Sequence, residues 1–166
     1  MSYSIQDINQ MSQDKFVETL GNVFEETPAI AHKAWEARPY HDVAHLHEHM
    51  MQVVYAMGQP GQIALIRAHP DLGSKAKMAE ASVQEQAGAG LDRLTPQEFL
   101  LFQNLNQAYK EKFGFPFIVA VRNHTKDSIL QAFQERLNHS VNSEIQQALS
   151  EIAHITRMRL DALINS

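Results

Sequence analysis

The chain has 166 residues, no cysteine, and a formal net charge of −5 at pH 7. A single domain of that length can bury roughly 70% of its unfolded surface, so its core needs no covalent or metal staple. The missing cysteines exclude disulfides, thiolate metal sites and a thiol nucleophile, and the acidic balance argues against a general nucleic-acid binder. No apolar run approaches the roughly 20 residues needed to span a bilayer. The opening MSYSIQDINQMSQDKF is too polar for a secretory signal. The expectation is a soluble, cytoplasmic protein with neither nucleic-acid nor membrane partners.

Helical periodicity runs along almost the whole chain. Ser12 caps a helix that places Phe16, Leu20, Val23 and Phe24 on one face. Thr27-Pro28 predicts a second start, with the helix running to Arg38 before Pro39. From Asp42 a third helix buries Val43, Leu46, Met50, Val53, Val54 and Met57, and Gly58 ends it. Pro60 opens a short helix that stops at His69, because a residue preceding proline is pushed out of the α region. A further helix covers roughly Lys75 to Ala87. Thr95-Pro96-Gln97-Glu98 is a capping box, and the helix behind it runs to Gly114. Phe115 to Val121 looks like a strand but has no partner strand, so it reads as a buried extended segment. Thr125 or Asp127 starts another helix, with Ile129, Leu130, Phe133 and Leu137 inward. A last helix spans about Ser143 to Ile164. The prediction is all-α: residues 1–166 as one compact domain of seven or eight helices with one buried extended segment.

The polar residues from Arg67 to Asp92 stand apart from this core pattern. His69 lies between a helix end and Pro70-Asp71, and its ordinary pKa near ~6.5 makes it a proton carrier at neutral pH. The same residue can equally be a helix-end histidine that donates to a carbonyl. Asp71 either orients it or caps the following turn. Ser82, Glu85 and Gln86 share one helical face, as a binding surface or as a solvated one. Arg159 carries a guanidinium fork suited to a carboxylate or ureido group, or to a surface salt bridge. Arg157 lies about 200° round the same helix and cannot share its pocket. His41, His45 and His49 repeat every four residues, a spacing that can hold zinc or nickel. HLHEHM is not H-E-x-x-H, however, and the other reading is a hydrophilic helix face.

Four ordered motifs carry a family resemblance. They are Ala68-His69-Pro70-Asp71-Leu72-Gly73; Ser82-x-x-Glu85-Gln86 running into Ala89-Gly90-Leu91; Leu105-Asn106-x-x-Tyr109-x-x-Lys112-Phe113-Gly114-Phe115-Pro116-Phe117; and Arg159-Leu160. Trp35-Glu36-Ala37-Arg38-Pro39-Tyr40 also fits, with tyrosine where phenylalanine is frequent. Together they resemble the 2-oxo-4-hydroxy-4-carboxy-5-ureidoimidazoline (OHCU) decarboxylase family, over nearly the whole chain. Val121-Arg122-Asn123 departs from the glycine that often follows the extended segment.

The resemblance implies an all-helical homodimer that converts OHCU to (S)-allantoin in uric acid degradation, with no metal and no organic cofactor. It carries His69, Glu85 and Arg159 over as catalytic residues. Pro70, Ser82, Gln86 and the main chain at Phe117, Ile118 and Val119 carry over as substrate-binding. Two other classes stay open on the residues themselves. One is a metal-dependent hydrolase built on the His41/His45/His49 face, the other a non-enzymatic helical interaction module.

Overall fold

Local capping chemistry sets most element boundaries. A computed structural model describes residues 2–73 and 80–165, the side chains of residues 80–83 excepted. The described residues form nine α-helices, a 3-10 turn at Val121–Asn123 and two strands of two residues each. The fold is all-α, as the periodicity predicts, with one helix more than expected. The extra helix is α1 (Ile5–Gln10), started by a Ser4–Asp7 capping box and too short to show a periodic signal. Strand β1 (Tyr3–Ser4) pairs in parallel with β2 (Ile164–Asn165), a ladder between the two ends of the chain. None of the helices is long and apolar enough, among the described residues, to cross a membrane.

The chain clusters into two compact units, one built from the residues up to Ala68 together with those from Ala153 onward, the other from His69–Ile152. In the first unit α2 (Gln13–Leu20), α3 (Ala29–Glu36) and α4 (Val43–Ala56) pack in sequence, and α5 (Gln59–Arg67) follows. Phe16, Leu20, Ile30, Leu46, Met50 and Val54 form its core. Ser12 and Asp42 accept hydrogen bonds as the expected N-caps. Thr27 does not: Pro28 is the cap residue of α3 and makes no side-chain cap bond, while the Thr27 hydroxyl donates to the Glu25 carbonyl at 2.8 Å. Gly58 caps the start of α5 rather than ending α4, because Met57 is already extended.

The Trp35–Tyr40 motif is a structural staple of this unit. Arg38 stacks over the Trp35 ring, 4.2 Å from its centroid, and donates to the Asn9 and Met11 carbonyls at 2.6 and 2.9 Å. The Trp35 indole N–H also donates to the Met11 carbonyl. The Tyr40 hydroxyl donates to the Ala34 carbonyl at 2.7 Å, and burial pushes its pKa up to about 12.

The second unit is organised on α6 (Glu80–Gly88), α7 (Pro96–Phe113), α8 (Lys126–Arg136) and the first half of α9 (Val141–Leu163). The part of α6 expected before Glu80 lies outside the described residues. The Thr95 capping box opens α7, and Gly114 closes it at φ +81°, a left-handed conformation that favours glycine. Phe115 to Ala120 then runs as a buried extended segment with no strand partner among the described residues, as expected. Phe117 stacks on Phe133 with ring centroids 3.7 Å apart, and Tyr109 meets Phe117 edge-on.

Candidate active site

His69 follows directly on the end of α5, where Pro70 prevents another helical turn. It is buried, with 7% of its surface exposed. The loop it opens is fastened at three successive residues. Lys110 donates to the Asp71 carboxylate at 2.8 Å, the Asn106 side-chain amide donates to the Leu72 carbonyl at 2.8 Å, and the Gly73 N–H donates to the Gln86 side-chain oxygen at 3.0 Å. Gly73 has φ +68°, and a Cβ there would sit 2.8 Å from the Leu94 Cδ1 methyl, so glycine suits the position twice over. Asp71 is thus paired with Lys110, and its carboxylate anchors the loop. A cleft of about 830 Å³ runs along α7 beside this anchorage, with Asp71, Asn106 and Lys110 in its wall.

Glu85 and Gln86 are both buried on α6. Gln86 ties α6 to the His69 loop, through the Gly73 bond. Glu85 lies in the wall of a pocket of about 420 Å³ that also includes Gly88, Ala89, Val121, Arg122 and His124. Ser82 is on the same helix, but its side chain lies outside the described residues. The Ile118 carbonyl accepts from Arg136, and the Ala120 N–H donates to Glu151 at 3.1 Å. The Phe117 side chain is core, stacked on Phe133.

Arg159 belongs to the first unit. There its guanidinium is buried, donating to the Val23 carbonyl at 3.1 Å and to the Glu25 carboxylate at 3.2 Å. The surface salt bridge is instead made by Arg157, which pairs with Asp161 one turn on. In the histidine-rich run the His41 and His45 rings stack 4.9 Å apart, and Tyr40 meets His45 edge-on. Among the described residues no three histidine or carboxylate side chains are grouped so as to hold a metal.

Sequence reasoning passed over several buried polar residues. Glu144 is wholly buried and receives the Tyr109 hydroxyl at 2.5 Å and the Arg136 Nε–H at 2.8 Å, while its second oxygen meets His139 Nδ1 at 2.8 Å. Burial, and then the bond to Glu144, holds the Tyr109 phenol far above its usual range. Asn106, Tyr109 and Lys110 all lie within the motif from Leu105 to Phe117. The i, i+4 spacing of Asn106 and Lys110 was the available sign that both face the His69 loop.

The second unit of this all-α protein thus carries a buried histidine on a pinned loop, and a buried carboxylate and amide on α6, residue types that acid–base chemistry uses. A family model described as OHCU decarboxylase matches residues 9–161. The chain belongs to the OHCU decarboxylase family. It is 42% identical over 160 residues to a 2-oxo-4-hydroxy-4-carboxy-5-ureidoimidazoline decarboxylase of Halalkalicoccus jeotgali, covering 96% of this chain and 91% of that one. It is also 42% identical over 162 residues to a uric acid degradation bifunctional protein of Bacillus subtilis, covering 98% of this chain but 33% of that longer protein. Among solved structures, an (S)-allantoin synthase superposes with a TM-score of 0.77 at 27% identity, covering 98% of this chain and 55% of the other.

Proposed function

We infer that this protein is a carboxy-lyase that decarboxylates OHCU to (S)-allantoin in uric acid degradation. The observation that carries the reading is the family match over residues 9–161, inside which His69 stands buried on its pinned loop. The enzyme needs neither metal nor organic cofactor, because the substrate supplies its own electron sink. Its carboxylate sits on a carbon next to a C=N bond. As the C–C bond to the departing CO2 breaks, its electron pair moves into the ring. The ring hydroxyl then gives up its proton to become a carbonyl, and a proton is added to the carbon bearing the ureido group.

His69 handles one of these protons. Glu85 holds ureido or ring N–H groups and biases the histidine's protonation, and Arg159 grips an oxygen-rich part of the substrate. Pro70, Ser82, Gln86 and the main chain from Phe117 to Val119 shape the rest of the binding surface. These roles rest on the family resemblance. The same resemblance supports a cytoplasmic homodimer, with OHCU as its small-molecule partner.

The test generates OHCU in situ from urate and follows the handedness of allantoin by circular dichroism. Spontaneous decay gives racemic product, whereas a chiral site delivers its proton to one face. A general acid–base residue typically contributes about 10²- to 10⁴-fold in rate, so His69→Asn should lose at least that much. Optically active allantoin formed by His69→Asn at the wild-type rate would refute the assignment.

A further inference from the structure

We propose that Arg136, locked in place by Glu144, is the positioning residue for the extended segment from Phe115 to Ala120. The inference rests on the decarboxylase reading, in which main-chain groups of this segment meet the substrate. A segment with no strand beside it has no ladder to fix its register or its tilt. Here side chains from two helices take that part. Arg136 Nη1–H donates to the Ile118 carbonyl at 2.6 Å, and its guanidinium carbon lies 4.3 Å from the Phe117 ring centroid. Glu151 accepts the Ala120 N–H and is itself braced by Gln147 at 3.1 Å.

Arg136 is held from the other side as firmly as it holds. Its Nε–H bonds Glu144 at 2.8 Å, and that carboxylate is turned and fixed by Tyr109 and His139. The planar fork therefore has one orientation in which it can reach both Glu144 and Ile118. Stability alone does not explain the arrangement. A buried ion pair is commonly no better for stability than an apolar pair of equal volume. Moreover, Arg136 Nη2 is buried with no acceptor among the described residues, which is a further cost. What the pair adds over an apolar substitute is direction, imposed on the main chain on both sides of Ile118.

The test compares wild type, R136K and the double variant R136M/E144L on OHCU generated from urate, with rates corrected for folded protein by near-UV circular dichroism. Lysine keeps the charge opposite Glu144 but loses the fork. The double variant keeps the volume and removes both charges, and it stands in should R136K not fold. A displacement of about 1 Å far from the chemistry can reduce rate by ~10²-fold. The expected result is a fall in kcat/KM of about 10- to 100-fold per folded molecule, with KM raised about tenfold. A purely structural role lowers the melting temperature and leaves KM of the folded fraction alone. A folded variant with wild-type KM, beside an active wild type, overturns the positioning role by itself. A wild type that does not turn over OHCU overturns the functional reading, and this inference with it.

Discussion

Glu144→Ala is the most direct probe of the buried polar network in the second unit. Glu144 is wholly buried and is the only carboxylate that Arg136 pairs with among the described residues. Truncating it leaves a guanidinium buried opposite a small void and takes from Tyr109 the acceptor of its hydroxyl. Breaking a buried pair by removing one partner costs about 3–5 kcal/mol, because the remaining charge is no longer compensated. For a chain of this size each kcal/mol corresponds to roughly 2–4 °C, so the melting temperature should fall by about 6–20 °C. Urea unfolding followed by far-UV circular dichroism gives the free energy independently, with an unchanged m-value if the denatured state is unaffected. The second arm is R136M/E144L. If the loss in Glu144→Ala comes from the stranded cation, removing both charges at constant volume should restore most of it. A loss under about 1 kcal/mol for Glu144→Ala, or a double variant no more stable than the single one, would refute this account of the network.

Gly73→Ala forces a side chain into a left-handed conformation and brings its Cβ against the Leu94 methyl. It should cost about 1–2 kcal/mol, and displacement of the Gly73–Gln86 bond should lower kcat/KM roughly tenfold; unaltered kinetics per folded molecule would show that this bond does not position His69. His47, bonded to the Thr156 hydroxyl at 3.0 Å, has a pKa held below 6.5, first by burial and then by the nearby Arg157. The unfolded chain therefore takes up the proton first, and the contribution of neutral His47 is complete above pH 6.5 and lost as pH falls through and below it. Melting temperatures measured from pH 5 to 8 should show a shallower acid decline for His47→Gln than for wild type, and parallel curves would contradict this. Thr95→Ala removes the hydroxyl that accepts the Glu98 N–H at 3.1 Å and opens the capping box. The loss should be about 0.5–2 kcal/mol in urea unfolding, with no change in KM.

Features encoded within four or five residues were legible in the sequence. Ser12, Asp42 and Thr95 cap the helices they are expected to start, and of Thr125 and Asp127 it is Thr125 that caps α8, because a cap bonds backbone groups two or three positions away. The halt at His69 followed from the next residue being proline. What escaped was tertiary. The β1–β2 ladder joins residues 3 and 164, and two residues carry no strand signal. No local pattern marks Arg136, Glu144 or Glu25 as buried, yet these three and Arg159 are, each with a partner far along the chain or on another element. Leu137, expected inward, is only half-buried, while its neighbour Arg136 takes the core position.

The same division runs through the motifs that carried the resemblance. His69 displays its chemistry by residue type alone, and a single sequence is enough to notice it. Trp35, Arg38 and Tyr40 prove to be fasteners of the first unit, while Asn106, Tyr109 and Gly114 have that part in the second. On the decarboxylase reading this preponderance of fasteners has a chemical reason. A substrate that accepts its own electrons asks little of the protein beyond a held ring, a proton source and a fixed face for its delivery. The demand therefore falls on placement. Placement is supplied by bonds such as Gly73–Gln86, Leu72–Asn106 and Ile118–Arg136, whose partners lie 13, 34 and 18 residues apart along the chain. Such bonds have no local sequence signature, so the residues proposed to aim the chemistry are harder to read than the histidine proposed to perform it.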